Sequence, residues 1–339
     1  WLPIQNFAGS FNGNGFTVSG LYSVNGEFYE VKSEPVGLFG SISGGSDEKP
    51  VVVKNLKIRD SYFYASWSGA PVVGRINEGA RVVLDSIVVD MPHYGTHDVG
   101  GIVGLINGNS KVALSNSSKI GETVGEYFIG GLVGCMLGEQ QVTIANSFVD
   151  GEVTAKHNAV GSIVGSANKA DILISGVYAK GNVNGYSYMG GFVGSNTKRV
   201  RIENSYHIGD IVTGQSCPIG AGAFEGVVIG GFAGTATVLS VVNSYQLGTI
   251  RNECYPNRIG ALAGYVKPEN VHTDNVFFPT TLALADSAKG VAEEKFANGF
   301  VAYALHRYDN GKINGSIWGQ EVGVDPYPVF KSKLEGLKI

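Results

Sequence analysis

The sequence predicts an all-β protein, a parallel β-helix whose chain winds as a solenoid of about nine coils and ends in a small helical cap. Three observations carry that reading. A five-residue motif, typified by Gly130-Gly131-Leu132-Val133-Gly134, recurs with its last glycine at Gly40, Gly74, Gly104, Gly134, Gly165, Gly194, Gly234 and Gly264. The intervals are 34, 30, 30, 31, 29, 40 and 30 residues, a regularity that means stacked repeats. Glycine supplies 50 of 339 residues, about twice the usual ~7%, and it falls at fixed places in the period. No unit carries apolar residues at helical spacing over a helix length, which excludes an α-helical solenoid. The period is also too short for a propeller blade of ~40–45 residues.

The opening stretch, Phe7 through Tyr22, sets Asn-Gly pairs between alternating apolar residues, the signal of tight turns between short strands. Each later period then has two halves. In the glycine motif the large central residue (Leu38, Val72, Ile102, Leu132, Ile163, Phe192, Phe232, Leu262) forms a stacked column in the core. The second half is an apolar strand ending at an Asn-Ser turn, as in Ile144-Ala145-Asn146-Ser147-Phe148 and Ile202-Glu203-Asn204-Ser205-Tyr206. A third short strand follows, giving three β segments per coil. Asn116, Asn146, Asn204 and Asn243 are expected to stack as a structural ladder, because amides hydrogen-bond along a stack and asparagine tolerates left-handed turns.

The 40-residue interval holds an insertion at 214–226, read as a loop covering one face. The solenoid is assigned to 1–280 and the closing segment to 281–339. Within 287–308 one helix is expected, with Phe296, Phe300 and Ala304 sharing a face and Gly299 weakening but not ending it. With Trp318-Gly319-Gln320 and residues 325–330 it closes the open end of the core. The N-terminal end shows no comparable cap and the chain starts at Trp1 without an initiator Met, so a processed form or part of a longer polypeptide is expected.

Composition narrows the function. Net charge is −4 and the densest basic cluster is Lys198-Arg199-Val200-Arg201, too short to track a phosphate backbone, so no nucleic-acid partner is expected. No stretch approaches the ~18 apolar residues of a membrane span. Cys135, Cys217 and Cys254 make no metal motif. Cys217 and Cys254 precede successive motif copies, and a coil spacing of ~4.8 Å would bring them within disulfide reach. Cys135 reads as a small buried hydrophobe. His93 and His97 flank a turn and read as solvated residues, not metal ligands. No metal or cofactor is predicted. The acids Asp85, Asp90, Asp98, Glu126 and Asp150 are spread over several coils, so no catalytic constellation emerges.

The repeated Gly-Gly-Leu-Val-Gly, the Asn-Ser-Tyr turn, the opening Phe-Asn-Gly-Asn-Gly-Phe-Thr-Val-Ser-Gly-Leu-Tyr and the closing Trp-Gly-Gln with Asp-Pro-Tyr-Pro-Val-Phe resemble the GLUG-motif family of bacterial surface proteins over almost the whole chain. The resemblance implies a right-handed helix, secretion or surface display, and a place in adhesin-like polypeptides or assemblies. It implies no particular catalysis. The expected role is a non-catalytic extracellular spacer or adhesin module. The alternatives are a carbohydrate-active enzyme on the same scaffold and a subunit of a surface fibre. The segments before the glycine motifs carry Tyr94, His97, Tyr127, His157, Tyr186, Tyr188 and Tyr255. In register these would form an aromatic strip suited to a glycan or a surface protein; equally, they could cover a corner of the core.

Overall fold

Phe39, Val73, Val103, Val133, Val164, Val193, Ala233 and Ala263 lie side by side, each one coil above the last, on parallel strands. They belong to the eight motif copies, and together they describe a parallel β-solenoid. The computed structural model describes residues 1–25, 34–213, 227–251, 258–282 and 290–331. Among these, the strands form two parallel sheets of 20 and 13 strands, apart from a two-stranded pair near the C-terminus.

The solenoid makes about seven turns, not nine. Eight stacked copies enclose seven intervals, and the ends add only partial turns. The opening segment meets the first motif strand through isolated bridges at Ile4–Phe39 and Phe7–Ile42. At the other end Val271–Phe277 pairs with Val238–Leu247 before the chain leaves the coil.

Each turn also carries five straight segments, not three. From Val133 the chain runs through Val133–Ala145, whose register shifts between Leu137 and Gln140, then Phe148–Asp150, Val153–Ala155 and Val160–Gly161. The expected third short strand is present as Val153–Ala155, while Phe148–Asp150 and Val160–Gly161 are too short to show an alternating pattern and do not stand out in the sequence. The corners follow expectation. Asn116, Asn146, Asn204 and Asn243 have φ of 50°, 47°, 44° and 48°, and Asn275 continues the series at 53°.

All eight central motif residues are buried in one continuous core. The glycines beside them answer a close approach of backbone. A Cβ on Gly130 would stand 1.9 Å from the Val133 carbonyl oxygen and 2.7 Å from the Gly165 nitrogen in the next coil.

The closing segment differs from its expected form in two ways. Gly299, at φ 86°, ends one helix and starts another, Glu294–Ala297 and Phe300–His306. The left-handed residue turns the chain, so Phe300 is 49% exposed while Phe296, Val301 and Leu305 are buried. The segment also buttresses the flank. Tyr206 alternates with His207, whose column includes the core residues Val149 and Ala179, so Tyr206 faces out. Phe148, Tyr178, Tyr206 and Tyr245 stack along the outer wall at 4.8, 5.1 and 5.0 Å. Phe296, Val301, Leu305, Trp318 and Phe330 pack on that column as a second core. Phe278 and Leu282 instead join the main core near its last turn.

Candidate functional site

Strands Tyr62–Gly69, His93–Gly100 and Tyr127–Gly130 precede successive glycine motifs and pair in parallel, placing Trp67 beside His97 and His97 beside Tyr127. Their rings stack face to face, Trp67 on His97 at 4.2 Å and 5°, His97 on Tyr127 at 4.3 Å and 6°. Tyr127 then meets His157 at 5.0 Å and 31°. Trp67 is 40% exposed, His157 is exposed, and His97 and Tyr127 are half-buried. The result is an ordered ladder of four rings on the outer wall. Because the inner rings cover one another's faces, a ligand meets mainly edges, while His97 Nδ1 is buried.

The sequence-predicted strip is thus brought together in part. His97, Tyr127 and His157 stack. Tyr94 lies in another column, opposite Tyr64 and Val124; its hydroxyl donates to Glu122, and that hydrogen bond raises the phenol to about 12. Tyr188 pairs with Val228, one position nearer the motif than the ladder. Tyr186 is half-buried and stands eight residues before Gly194, as His157 stands before Gly165. Tyr255, Cys217, Cys254 and the 214–226 loop fall outside the described residues. Trp67 was missed, although Trp67, His97 and Tyr127 each stand seven residues before the closing glycine of the next motif, Gly74, Gly104 and Gly134.

Burial holds His97 below its ordinary value; His157 acts the same way, and the Glu126 carboxylate opposes both. Beside the ladder, Asp98 is buried in a left-handed position at φ 52°. Burial raises its carboxyl to about 6, against hydrogen bonds from Cys135 and Ser68 and the charge of Arg75. The Cys135 thiol is itself pushed up by burial and by Asp98, which keeps it protonated and unreactive. It packs as a small buried residue, as expected, but with a polar partner.

The interior holds chemistry that the sequence reading did not place. His93 is fully buried and not solvated, because it shares an inward column with Thr123 and Val153; burial pulls it down to about 3. Lys119, His207 and Gln246 occupy one register column with Val89, Val149 and Ala179. Lys119 Nζ donates to the carbonyls of Met91, Ile120, Gly121 and Glu122 at 2.8, 3.0, 2.6 and 3.1 Å. Burial lowers its ammonium to about 7, while the ring of carbonyl dipoles favours the charged form. Three coils on, His207 Nε2 lies 3.2 Å from the carbonyl of Gly181, the counterpart of Gly121, so the same corner carbonyl finds a partner there. Among the described residues no cluster of three or more His, Cys, Asp or Glu could hold a metal ion, and no helix is long and apolar enough to cross a membrane.

No family model matches the chain, and no curated protein matches it. Among solved structures, the crystal structure of a "putative immunoglobulin A1 protease" from Bacteroides ovatus is similar, with 17% identity and a TM-score of 0.43, over 95% of this chain and 76% of that one.

Proposed function

We propose that this chain is a surface-displayed solenoid module of the GLUG-motif kind, a rigid extracellular arm that engages a partner protein through the Trp67–His97–Tyr127–His157 ladder. The observation that carries this is the ladder itself: four rings aligned on the outer wall, two of them exposed, and none a member of the main core. Aromatic edges held by a regular sheet lose little conformational freedom on binding, which is what an interface anchor requires. A protein is favoured over a sugar at this ladder because sugars stack on ring faces, and the three ring contacts cover six of the ladder's eight faces.

An array carrying both extracellular proteins and glycans tests the reading. Binding to proteins that falls about tenfold or more, ~1.4 kcal/mol, in the Trp67→Ala/Tyr127→Ala double variant, with an unchanged melting temperature for the monomer, supports it. Protein binding that survives the double variant overturns it. Labelling of intact cells with an antibody to the module tests display.

A further inference from the structure

We infer that a second corner of the solenoid, away from the stacked rings, is a binding groove for an extended acidic oligosaccharide, one whose sugar units carry carboxylates as well as hydroxyls. The inference goes beyond the ladder reading and uses none of its residues.

The groove follows the corner that breaks each long motif strand. Arg81, Lys111, Gln141, Asp171 and Arg199 stand one above another in parallel register, at rungs of ~4.8 Å, a spacing close to one sugar unit of an extended polymer. Preceding them are turn residues in left-handed conformations, Asn109, Gly138 and Lys169 at φ 57°, 88° and 62°. Between these turns and the column lies a cavity of about 350 Å³, lined among others by Asp47, Arg81, Lys111, Gln140, Asp171 and Lys198.

Its charges are arranged in two unequal sets. One oxygen of Asp47 lies 3.3 Å from Arg81 Nε and 3.2 Å from Lys111 Nζ, so two cations share one carboxylate. At the other end Asp171 lies 2.8 Å from Lys198 Nζ and 3.9 Å from Arg199 Nε, again two cations to one anion. The Asp47 end keeps a surplus positive charge, while at the other end Glu139 also acts on Lys198 and the charges balance. The groove also contains acceptors that lack donors. Gln140 is 3% exposed; its amide nitrogen donates to Ile106 and Leu137 carbonyls, but its Oε1 is buried with no hydrogen-bond partner. Asp171 Oδ1 also accepts no hydrogen bond, its cation Arg199 Nε standing off at 3.9 Å. A ligand matching this lining must bring an anion to the Arg81–Lys111 end and O–H donors toward Gln140 and Asp171. Inorganic anions such as sulfate bring no such donors and neutral sugars bring no charge; an acidic sugar chain brings both.

Titration calorimetry at low ionic strength, where exposed charge pairing is least screened, decides it. The probe is tetragalacturonate, compared with the uncharged cellotetraose and with a tetraglutamate peptide. The expected result is that tetragalacturonate binds, that the other two bind at least about tenfold more weakly, and that Lys111→Gln and Lys198→Gln each weaken binding about tenfold. Lys111→Arg should retain binding, which separates loss of charge from loss of fold. Trp67→Ala/Tyr127→Ala should leave the affinity unchanged. Absence of heat at millimolar tetragalacturonate, equal binding of tetraglutamate, or wild-type affinity in both glutamine variants overturns the proposal.

Discussion

Asn243 donates its side-chain amide to the Leu305 carbonyl at 3.1 Å and to Asn204 Oδ1 at 2.5 Å, so one left-handed corner residue bonds at once to its own ladder and to the C-terminal turn of the flanking helix. Asn275 repeats the arrangement, donating to Ala304 O and to Asn243 Oδ1. A helix leaves its last carbonyls without partners, and here the exposed edge of the asparagine ladder supplies them. The same stack that sets the solenoid's corner therefore docks the closing segment.

Replacing Asn243 by alanine removes these bonds in a fully buried place and puts at φ 48° a residue without asparagine's tolerance of the left-handed region. The left-handed conformation costs ~1–2 kcal/mol, and each buried side-chain hydrogen bond lost costs ~0.5–1.5 kcal/mol, Leu305 O keeping the Tyr308 N–H at 3.3 Å. Asn243→Ala should destabilise by about 2–4 kcal/mol, and Asn243→Gly, which keeps the backbone freedom, by about 1–2 kcal/mol less. Urea unfolding of the two variants measures both; equal losses would show that backbone strain contributes nothing.

Gly299 reverses the usual sign of a helical glycine. Gly→Ala inside a helix gains ~0.5–1 kcal/mol. At φ 86°, with a Cβ standing 3.0 Å from Val322 Cγ2, the substitution should instead cost about 1–2 kcal/mol. A rise in melting temperature for Gly299→Ala would mean that a continuous helix across 294–306 is accessible.

Features written in the period were legible, and features written once were not. Leu132 and its counterparts repeat in eight copies, and Asn146 with its counterparts marks a corner by residue type alone, so core column and corner both followed from the sequence. Phe148–Asp150 and Val160–Gly161 are real strands too short to alternate. Tyr206 and Tyr245 looked like turn residues because their partners, Trp318 and Phe330, stand far along the chain and break the repeat. For the ladder, the aromatic type was visible, but the register was not: Tyr94 and His97 are three residues apart, and only strand pairing shows that His97 alone joins the stacked rings. His93 was misplaced for the same reason, since a strand alternates its faces and one step decides between solvent and core.

Acid should unfold the protein through its interior histidines. Burial pulls His93 to about 3 and His207 to about 4, below the ordinary 6.5. The unfolded chain therefore takes up protons near pH 6.5 while the folded one does not. Stability from this source is complete above pH 6.5 and falls as pH drops below it, by about 2 kcal/mol per histidine at pH 5. Asp98, raised to about 6 by burial, works in the opposite direction over the same range. The comparison is therefore between variants: the difference in unfolding free energy between pH 7 and pH 5 should shrink in His93→Gln/His207→Gln. An unchanged difference would show that neither imidazole is held neutral.

The glycine motif makes the sharpest forecast, because its glycines differ in what surrounds them. A Cβ at Gly130 would lie 1.9 Å from Val133 O, and the equivalent places Gly100, Gly190 and Gly230 give 1.9, 2.1 and 2.0 Å from the corresponding carbonyls. Those atoms are backbone in the same tight turn, and the next coil's backbone stands behind them, so neither can yield without opening the stack. Gly79 has a positive φ of 75° but nothing within 4 Å of a Cβ. Gly130→Ala should therefore cost about 4 kcal/mol or more, the range reserved for overpacked cores and broken backbone geometry, and should abolish the folded protein or drop its melting temperature steeply. Gly79→Ala should cost only the ~1–2 kcal/mol of left-handed strain and fold normally. Thermal unfolding of the pair, with circular dichroism to confirm β structure, separates close approach from backbone conformation. A loss at Gly130 no larger than that at Gly79 would mean that the coils can spread enough to admit a methyl group.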